Sequence, residues 1–237
     1  MSNNYVKSFI KKDFNVSILG LFVILSALSG GTIIFSLLQM DGNFRVDNIY
    51  AMYAYLSRLF VMFFPVLVWG SEFRNGTINL IRISGKCVEG IYASKYLTYL
   101  FSIVILMIVS FAEVVCYGKI TDVSVNSMQL LGNMSIAYFV YGLFFFGLGS
   151  VITVLCKDTT KSMITLFLVE FCGSLVCSIL GQGNDGVRAI LEFCPFSYAE
   201  SAFSFANFSV GQIANISIIA VVLNIVAIVL LKRRGVV

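Results

Sequence analysis

The sequence predicts an all-α membrane protein, and three observations lead to that fold class. Hydrophobic residues make up 59 % of the 237 residues and charged residues only 12 %, whereas soluble domains carry about 25 % charged residues. Several apolar runs exceed the roughly 18 residues that a bilayer-spanning helix needs. The basic residues lie between these runs and not in one patch, so the net charge of +4 does not indicate nucleic-acid binding. We predict one transmembrane domain over 1–237 with six transmembrane helices.

The first 38 residues predict a surface helix and the first span. An apolar stripe at i, i+4 and i+8 comprises Val6, Ile10 and Phe14. Lysines flank this stripe, so residues 3–14 are typical of an interfacial helix on an anionic leaflet, with a disordered basic tail as the alternative. Span 1 follows over 16–38, where the length of the apolar run favours a membrane helix over a signal peptide. Ser26, Gly30 and Gly31 are small enough to let another helix approach closely.

Span 2 covers 50–70 and contains two residues that are unusual in a membrane helix. Pro65 removes one backbone hydrogen bond and therefore predicts a kink. Arg58 lies about two turns inside the outer end, from which its guanidinium can snorkel toward water.

The remaining apolar runs predict four further spans, at 96–117, 134–155, 162–180 and 212–231. Two of these spans carry an acidic residue: Glu113 near the outer end of span 3 and Glu170 near the middle of span 5. A charge at mid-membrane costs about 2.5–3.5 kcal/mol on insertion scales, so it normally faces protein or water. Glu170 is therefore either a carboxylate on a substrate path or a protonated group bonded to a neighbouring helix. Glu113 is closer to water, which favours a structural role, and both join Arg58 as candidate path residues.

The distribution of basic residues predicts the topology. With both termini in the cytoplasm, the inside segments hold 12 of the 16 basic residues, the outer loops hold three, and the last is Arg58 within span 2. Such an asymmetry is a strong positive-inside signal. It indicates cytoplasmic N and C termini.

The cytoplasmic segment 71–95 joins spans 2 and 3 and predicts a short amphipathic helix over 73–84. One side of that helix is mainly apolar and comprises Phe73, Thr77, Leu80 and Ile81. The other side is polar and comprises Asn75, Asn79 and Arg82. A helix of this kind can lie on the membrane surface and present its polar side to a soluble partner. A plain cytoplasmic loop is the alternative.

Several chemistries have no sequence signature in this chain. It has no histidine, which is the commonest general base and metal ligand. Neither Gly-Lys pair is followed by the serine or threonine of a phosphate-binding loop, so we predict no catalytic, metal or ATP site. The six cysteines show no C-x-x-C spacing, and most act as small hydrophobic residues in spans or on the cytoplasmic side. Cys116 and Cys194 both fall near the outer face and are the one pair considered for a disulfide.

A specific pattern surrounds the cytoplasmic segment. Glu72 is followed by Gly76-Thr77, and Lys95 stands at the opening of the third span. This Glu-x-x-x-Gly-Thr arrangement resembles the ABC-2 family of ABC-transporter permeases, as do the predicted six spans with inside termini. Outside, the run Cys194-Pro195-Phe196-Ser197-Tyr198 is similar to the proline-aromatic segment of these permeases. One departure concerns Ile83-Ser84-Gly85, where the family usually has a proline, and it leaves the end of the coupling helix open.

The resemblance implies that the cytoplasmic helix docks on a separate ATPase subunit, which binds ATP and Mg²⁺. The residues implied in this coupling are Glu72, Arg74, Asn75, Gly76, Thr77, Asn79 and Arg82. Glu72 would accept from backbone N–H groups at the helix start or pair with a nearby basic residue. The alternative is that these residues only shape the loop.

The outer segment 181–210 holds more aromatic residues than a solvated loop would carry. It predicts a pair of short helices that dip into the outer leaflet, as in the family, or else an interfacial aromatic belt. The residues implied in an outer gate are Pro195, Phe196 and Tyr198.

The resemblance finally implies a permease of the bacterial plasma membrane that pairs with a second permease, identical or homologous, among membrane lipids. The cargo it implies is amphipathic or hydrophobic: an antimicrobial or toxin peptide, a drug or a lipid. A polysaccharide or glycolipid exporter is the alternative within the class. A non-transporting scaffold or sensor is the alternative outside it, and an intramembrane enzyme is disfavoured by the missing histidine.

Overall fold

The computed structural model describes residues 46–74, 87–122, 124–182 and 190–234, together with isolated positions between 20 and 39. Helix is the only regular secondary structure in these residues. The helices are α1 (Val46–Arg74), α2 (Val88–Ile120), α3 (Ser127–Cys156), α4 (Thr159–Gly181), α5 (Pro195–Ser204) and α6 (Val210–Arg234).

Five helices in this part of the chain are long and apolar enough to cross a membrane. They are α1, α2, α3, α4 and α6, which contain the predicted spans 2 to 6. The chain is therefore an all-helical protein of the multi-pass membrane class, as predicted. The interfacial helix over 3–14 and most of the predicted coupling helix lie outside the described residues, and so does most of span 1.

The spanning helices extend beyond the predicted apolar runs. Helix α1 continues to Arg74, and α2 already begins at Val88, so both ends of the segment 71–95 belong to the flanking helices. Helix α2 thus begins eight residues, or about two turns, before the predicted start of span 3 at 96. Polar residues in the first turns of α2 interrupt the apolar run without interrupting the helix.

Local capping explains the tight return between α3 and α4. The Asp158 carboxylate accepts from the backbone N–H of Lys161 at 2.8 Å and so caps the N-terminus of α4. Lys157 ends α3 in the left-handed conformation at φ 55°, which reverses the chain direction. At the other end of α3, Asn126 accepts from the N–H of Gln129 at 3.3 Å.

Helix α3 packs against each of the other five helices and forms the centre of the bundle. Its largest buried side chains are aromatic, namely Tyr138, Tyr141, Phe144, Phe145 and Phe146. Asn224 links α6 to two neighbouring helices. Its amide donates to the carbonyl of Leu143 on α3 at 3.2 Å, and its Oδ1 accepts from the Tyr92 hydroxyl on α2 at 2.6 Å. Such side chains hold membrane helices together where no water competes.

Gly147 allows α6 to approach α3, and enlarging it should loosen this pair. A Cβ at this position would lie 2.7 Å from Asn224 Nδ2 and 2.9 Å from Leu223 Cβ. We expect Gly147→Ala to lower the free energy of unfolding by about 1–3 kcal/mol, the usual cost of overpacking. Thermal unfolding of the purified protein in detergent measures the change. Gly132→Ala, on the same helix with open space around it, is the matched control, and equal effects of the two variants would refute the packing argument.

Pro65 lies inside α1, and the helix continues through it to Arg74. Because proline has no N–H, the carbonyl of Val61, four residues earlier, loses its regular helical donor. The hydroxyl of Tyr99 on α2 donates to this carbonyl at 2.8 Å, and Tyr99 is fully buried. A neighbouring helix therefore satisfies the group that the proline leaves free.

Replacing Tyr99 with phenylalanine should cost about 1 kcal/mol of stability, the net value of a buried hydrogen bond. In a Pro65→Ala background the backbone N–H of residue 65 is available to the Val61 carbonyl again, so the same substitution should cost less. A double-mutant cycle of thermal unfolding measures the difference. Additive effects of the two changes would show that the hydroxyl does not compensate for the proline.

Candidate functional sites along helix α1

The first candidate site joins the C-terminal end of α1 to the N-terminal part of α2, on the predicted cytoplasmic side. The Lys95 ammonium lies 3.2 Å from Glu72 Oε1, donates to the carbonyl of Val68 at 3.3 Å, and stands 5.2 Å from the centre of the Trp69 ring. Lys95 is 0 % exposed and Glu72 is 1 % exposed. A buried ion pair with further polar contacts resists separation, since either charge left alone in the interior is costly.

Of the two roles considered for Glu72, the structure shows pairing with a basic residue, which is Lys95 of the predicted pattern. This ion pair joins the two ends of the segment 71–95, one on α1 and the other on α2, to each other. Arg74, at the last turn of α1, is exposed. The other predicted coupling residues, Asn75, Gly76, Thr77, Asn79 and Arg82, lie outside the described residues.

The second candidate site lies toward the predicted outer side, around Arg58 of α1. Its guanidinium lies 3.7 Å from Glu170 Oε1 on α4 and makes an ion pair with Glu200 on α5. The side chain of Arg58 is 8 % exposed and that of Glu170 is 10 %, whereas that of Glu200 is 43 %. We call Arg58, Glu170 and Glu200 the ion cluster. If all three are charged, the cluster carries one excess negative charge.

The ion cluster joins two groups of residues that the sequence analysis treated separately. Arg58 and Glu170 were candidate path residues, and α5, which carries the predicted gate residues, now supplies the third member. A small void between α3, α4 and α5 is bordered by Glu170, Glu200, Pro195 and Phe196. The short outer helix is thus attached directly to the buried charges.

Sequence reasoning missed Glu200. The available signal was its position in the aromatic outer segment, one helical turn after Phe196 and so on the same side of a short helix. Its partner Arg58 is far away in sequence, which no local pattern reveals.

The predicted gate residues hold α5 in place. Pro195 is buried at the start of α5, and the Phe196 ring packs edge-on against Phe144 with centroids 5.8 Å apart. Tyr198 accepts from the Asn215 amide at 3.1 Å and donates to the carbonyl of Gln212 at 3.4 Å. Burial raises the pKa of the Tyr198 phenol, so it stays a neutral donor.

Glu113 does not join the ion cluster. It lies on α2 beside Gly30 of predicted span 1, where a Cβ on the glycine would overlap the Glu113 carboxylate. The expected close approach at Gly30 therefore occurs, whereas a Cβ on Gly31 would have no neighbour within 4 Å among the residues that the structure describes. This position fits the structural role favoured for Glu113.

A cleft of about 1020 Å³ opens on the predicted outer side between the ends of α4, α5 and α6. Its described lining is rich in hydroxyl and amide groups and includes Ser174, Ser178, Gln182, Glu192, Gln212 and Asn215. Ser174 borders both this outer cleft and the small void beside Glu170. The outer cleft therefore lies next to the ion cluster.

The pairing of Cys116 with Cys194 is not what the structure shows. Cys116 is exposed on α2, and the nearest thiol to Cys194 is that of Cys177, with 3.6 Å between the sulfur atoms. The packing of α5 on α4 brings these two cysteines together.

The chain matches no family model, and no curated protein shows significant similarity to it. Within the part of the chain that the structure describes, no three His, Cys, Asp or Glu side chains come together to hold a metal ion. The chemistry that the described groups offer is that of buried ion pairs at two positions of α1, Arg58 near its middle and Glu72 near its C-terminal end.

Proposed function

We propose that this chain is a permease subunit of an ATP-driven exporter of the ABC-2 kind, which works with a separate ATPase subunit and a second permease. The observation that carries this proposal is the buried Glu72–Lys95 pair. It ties both ends of the segment 71–95 to the bundle, so a force on that segment acts on α1 and α2 together. ATP and Mg²⁺ are bound by the partner subunit in this proposal.

Helix α1 offers a direct mechanical link between the two candidate sites. Glu72 and Arg58 are 14 residues apart on one continuous helix, which corresponds to about 21 Å along its axis. Movement of the cytoplasmic end in response to the ATPase would displace Arg58 relative to Glu170 and Glu200. We infer that this displacement releases α5 and opens the outer end of the path to an amphipathic or hydrophobic substrate.

The test is an affinity pull-down of the tagged protein from native membranes, followed by mass spectrometry. We expect an ATPase subunit to accompany the wild type and to be lost with Gly76→Trp, which places a bulky side chain on the proposed coupling helix. Gly132→Trp is the matched control, because it adds the same side chain in open space at the N-terminal end of α3, on the predicted outer side. If the wild type retains no ATPase under gentle conditions, the exporter proposal fails and a scaffold or sensor takes its place.

The polar outer cleft favours a second cargo, a polysaccharide or glycolipid. Its hydroxyl and amide lining suits a sugar chain better than an apolar peptide. Export assays with Gln212→Leu separate the two cargoes, since loss of the amide should reduce glycan export and leave export of an apolar peptide unchanged.

A further inference from the structure

Two thiol groups meet beside the outer cleft, and one of them, that of Cys177, lines it. Cys177 lies near the C-terminal end of α4, and Cys194 precedes Pro195 at the N-terminus of α5. Their sulfur atoms are 3.6 Å apart, although the residues are 17 positions apart in sequence. Cys177 lines the outer cleft, so the pair can be reached by a small molecule from that side.

We propose that Cys177 and Cys194 are a modification site, at which a thiol oxidant of the disulfide class joins them in an intramolecular disulfide. A disulfide requires the sulfur atoms at about 2.0 Å, so they must approach by only about 1.6 Å, which is within the reach of side-chain rotation. The topology from the basic residues places this end of α4 outside the cytoplasm, where disulfides persist. The site does not depend on the proposed transport function.

The reaction balances with one small disulfide, R–S–S–R. The half-buried Cys194 thiol is the more accessible of the two, and it attacks as the thiolate, forms a mixed disulfide and releases one R–S⁻. The Cys177 sulfur, 3.6 Å away, then displaces the second R–S⁻. The two cysteine thiols are oxidised and give up two protons, and the small disulfide is reduced to two thiols.

The bond would fasten α5 at its N-terminal end. The opposite half of α5 is held by the ion pair of Glu200 with Arg58, and its first turn packs on α4, where Gly173 approaches the Phe196 ring. With the disulfide formed, the start of α5 can no longer leave α4 even when the ion pair is broken.

The experiment counts free thiols. Cells that express the full chain are quenched in acid, and the protein is dissolved in SDS and labelled with a polyethylene-glycol maleimide, which adds mass at each free cysteine. Of the six cysteines, we expect four to react without reductant and all six after reduction. Cys172→Ser, on the same helix, is the matched control and should show three and five.

Cys194→Ser tests the partner, because it should leave Cys177 free and give five labels with or without reductant. Six labels on the unreduced wild type would overturn the proposal. Four labels in the wild type that fall to three in Cys194→Ser would place the disulfide between two other cysteines. A dimer on a non-reducing gel that disappears with Cys194→Ser would show that the thiols pair between two copies, which also overturns it.

Discussion

Replacing Lys95 with methionine is expected to destabilise the protein by about 3–5 kcal/mol, the usual effect of removing one partner of a buried ion pair. Methionine fills a similar volume but leaves the Glu72 carboxylate, which is 1 % exposed, without its cation. The carbonyl of Val68 also loses a donor. Thermal unfolding in detergent measures the loss, and export should fall with it if the segment 71–95 transmits force.

The double variant Glu72→Leu with Lys95→Met provides the control. The double variant removes the Glu72 carboxylate together with the Lys95 ammonium, so it should be clearly more stable than Lys95→Met alone. If the stability losses of the two substitutions instead add in the double variant, the side chains of Glu72 and Lys95 are not coupled. Under the proposed function, export by the double variant then distinguishes two roles of the pair. If the pair only stabilises the fold, the double variant should regain export. If the ion pair itself transmits force from the segment 71–95, export should stay low.

The class of protein and most of its spans could be predicted because membrane insertion depends on local hydropathy. Runs such as the one in α3 are apolar for longer than a soluble helix requires, and they predict a span without reference to the rest of the chain. The Glu72–Lys95 pair was also within reach, because both residues border one short segment and appear in one pattern.

The ion cluster could not be predicted in full, for a physical reason. Almost every position of a membrane helix is apolar, so periodicity does not reveal which side faces a neighbour. The contact of Arg58 with Glu200 depends on how α5 sits on α1 and α4, and this in turn depends on close packing at positions such as Gly173. The same packing brings Cys177 to Cys194, whereas the sequence analysis had considered Cys116 because it also falls near the predicted outer face.

Replacing Arg58 with methionine is the second change with a large expected effect. It leaves Glu170 in the interior without the guanidinium that lies 3.7 Å away, whereas the 43 % exposed Glu200 can turn to water. We expect a loss of stability of about 3 kcal/mol, at the lower end for a broken buried pair because one of the two acids is relieved. Thermal unfolding in detergent and export in cells are the two measurements.

Three further variants separate the members of the ion cluster. Arg58→Lys keeps the charge but replaces the delocalised guanidinium with a compact, strongly hydrated ammonium, so it should recover only part of the stability. Glu200→Gln should cost no more than about 1 kcal/mol, since the Glu200 side chain is 43 % exposed and Arg58 keeps its second partner, Glu170. Arg58→Met combined with Glu170→Leu should be more stable than Arg58→Met alone, because both buried charges of the ion cluster are then removed.

Glu170→Gln then decides whether the cluster serves transport. It keeps the size of the side chain and removes its charge, so the bundle should still assemble, as checked by retention of the ATPase in the pull-down. If the excess negative charge beside the outer cleft takes part in moving the cargo, export should fall while assembly is preserved. Unchanged export would show that Glu170 does not take part in the substrate path. The ion cluster would then serve only to hold α5 against α1 and α4. A loss of both assembly and export would likewise assign the carboxylate to folding, because the path role requires that the two be separable.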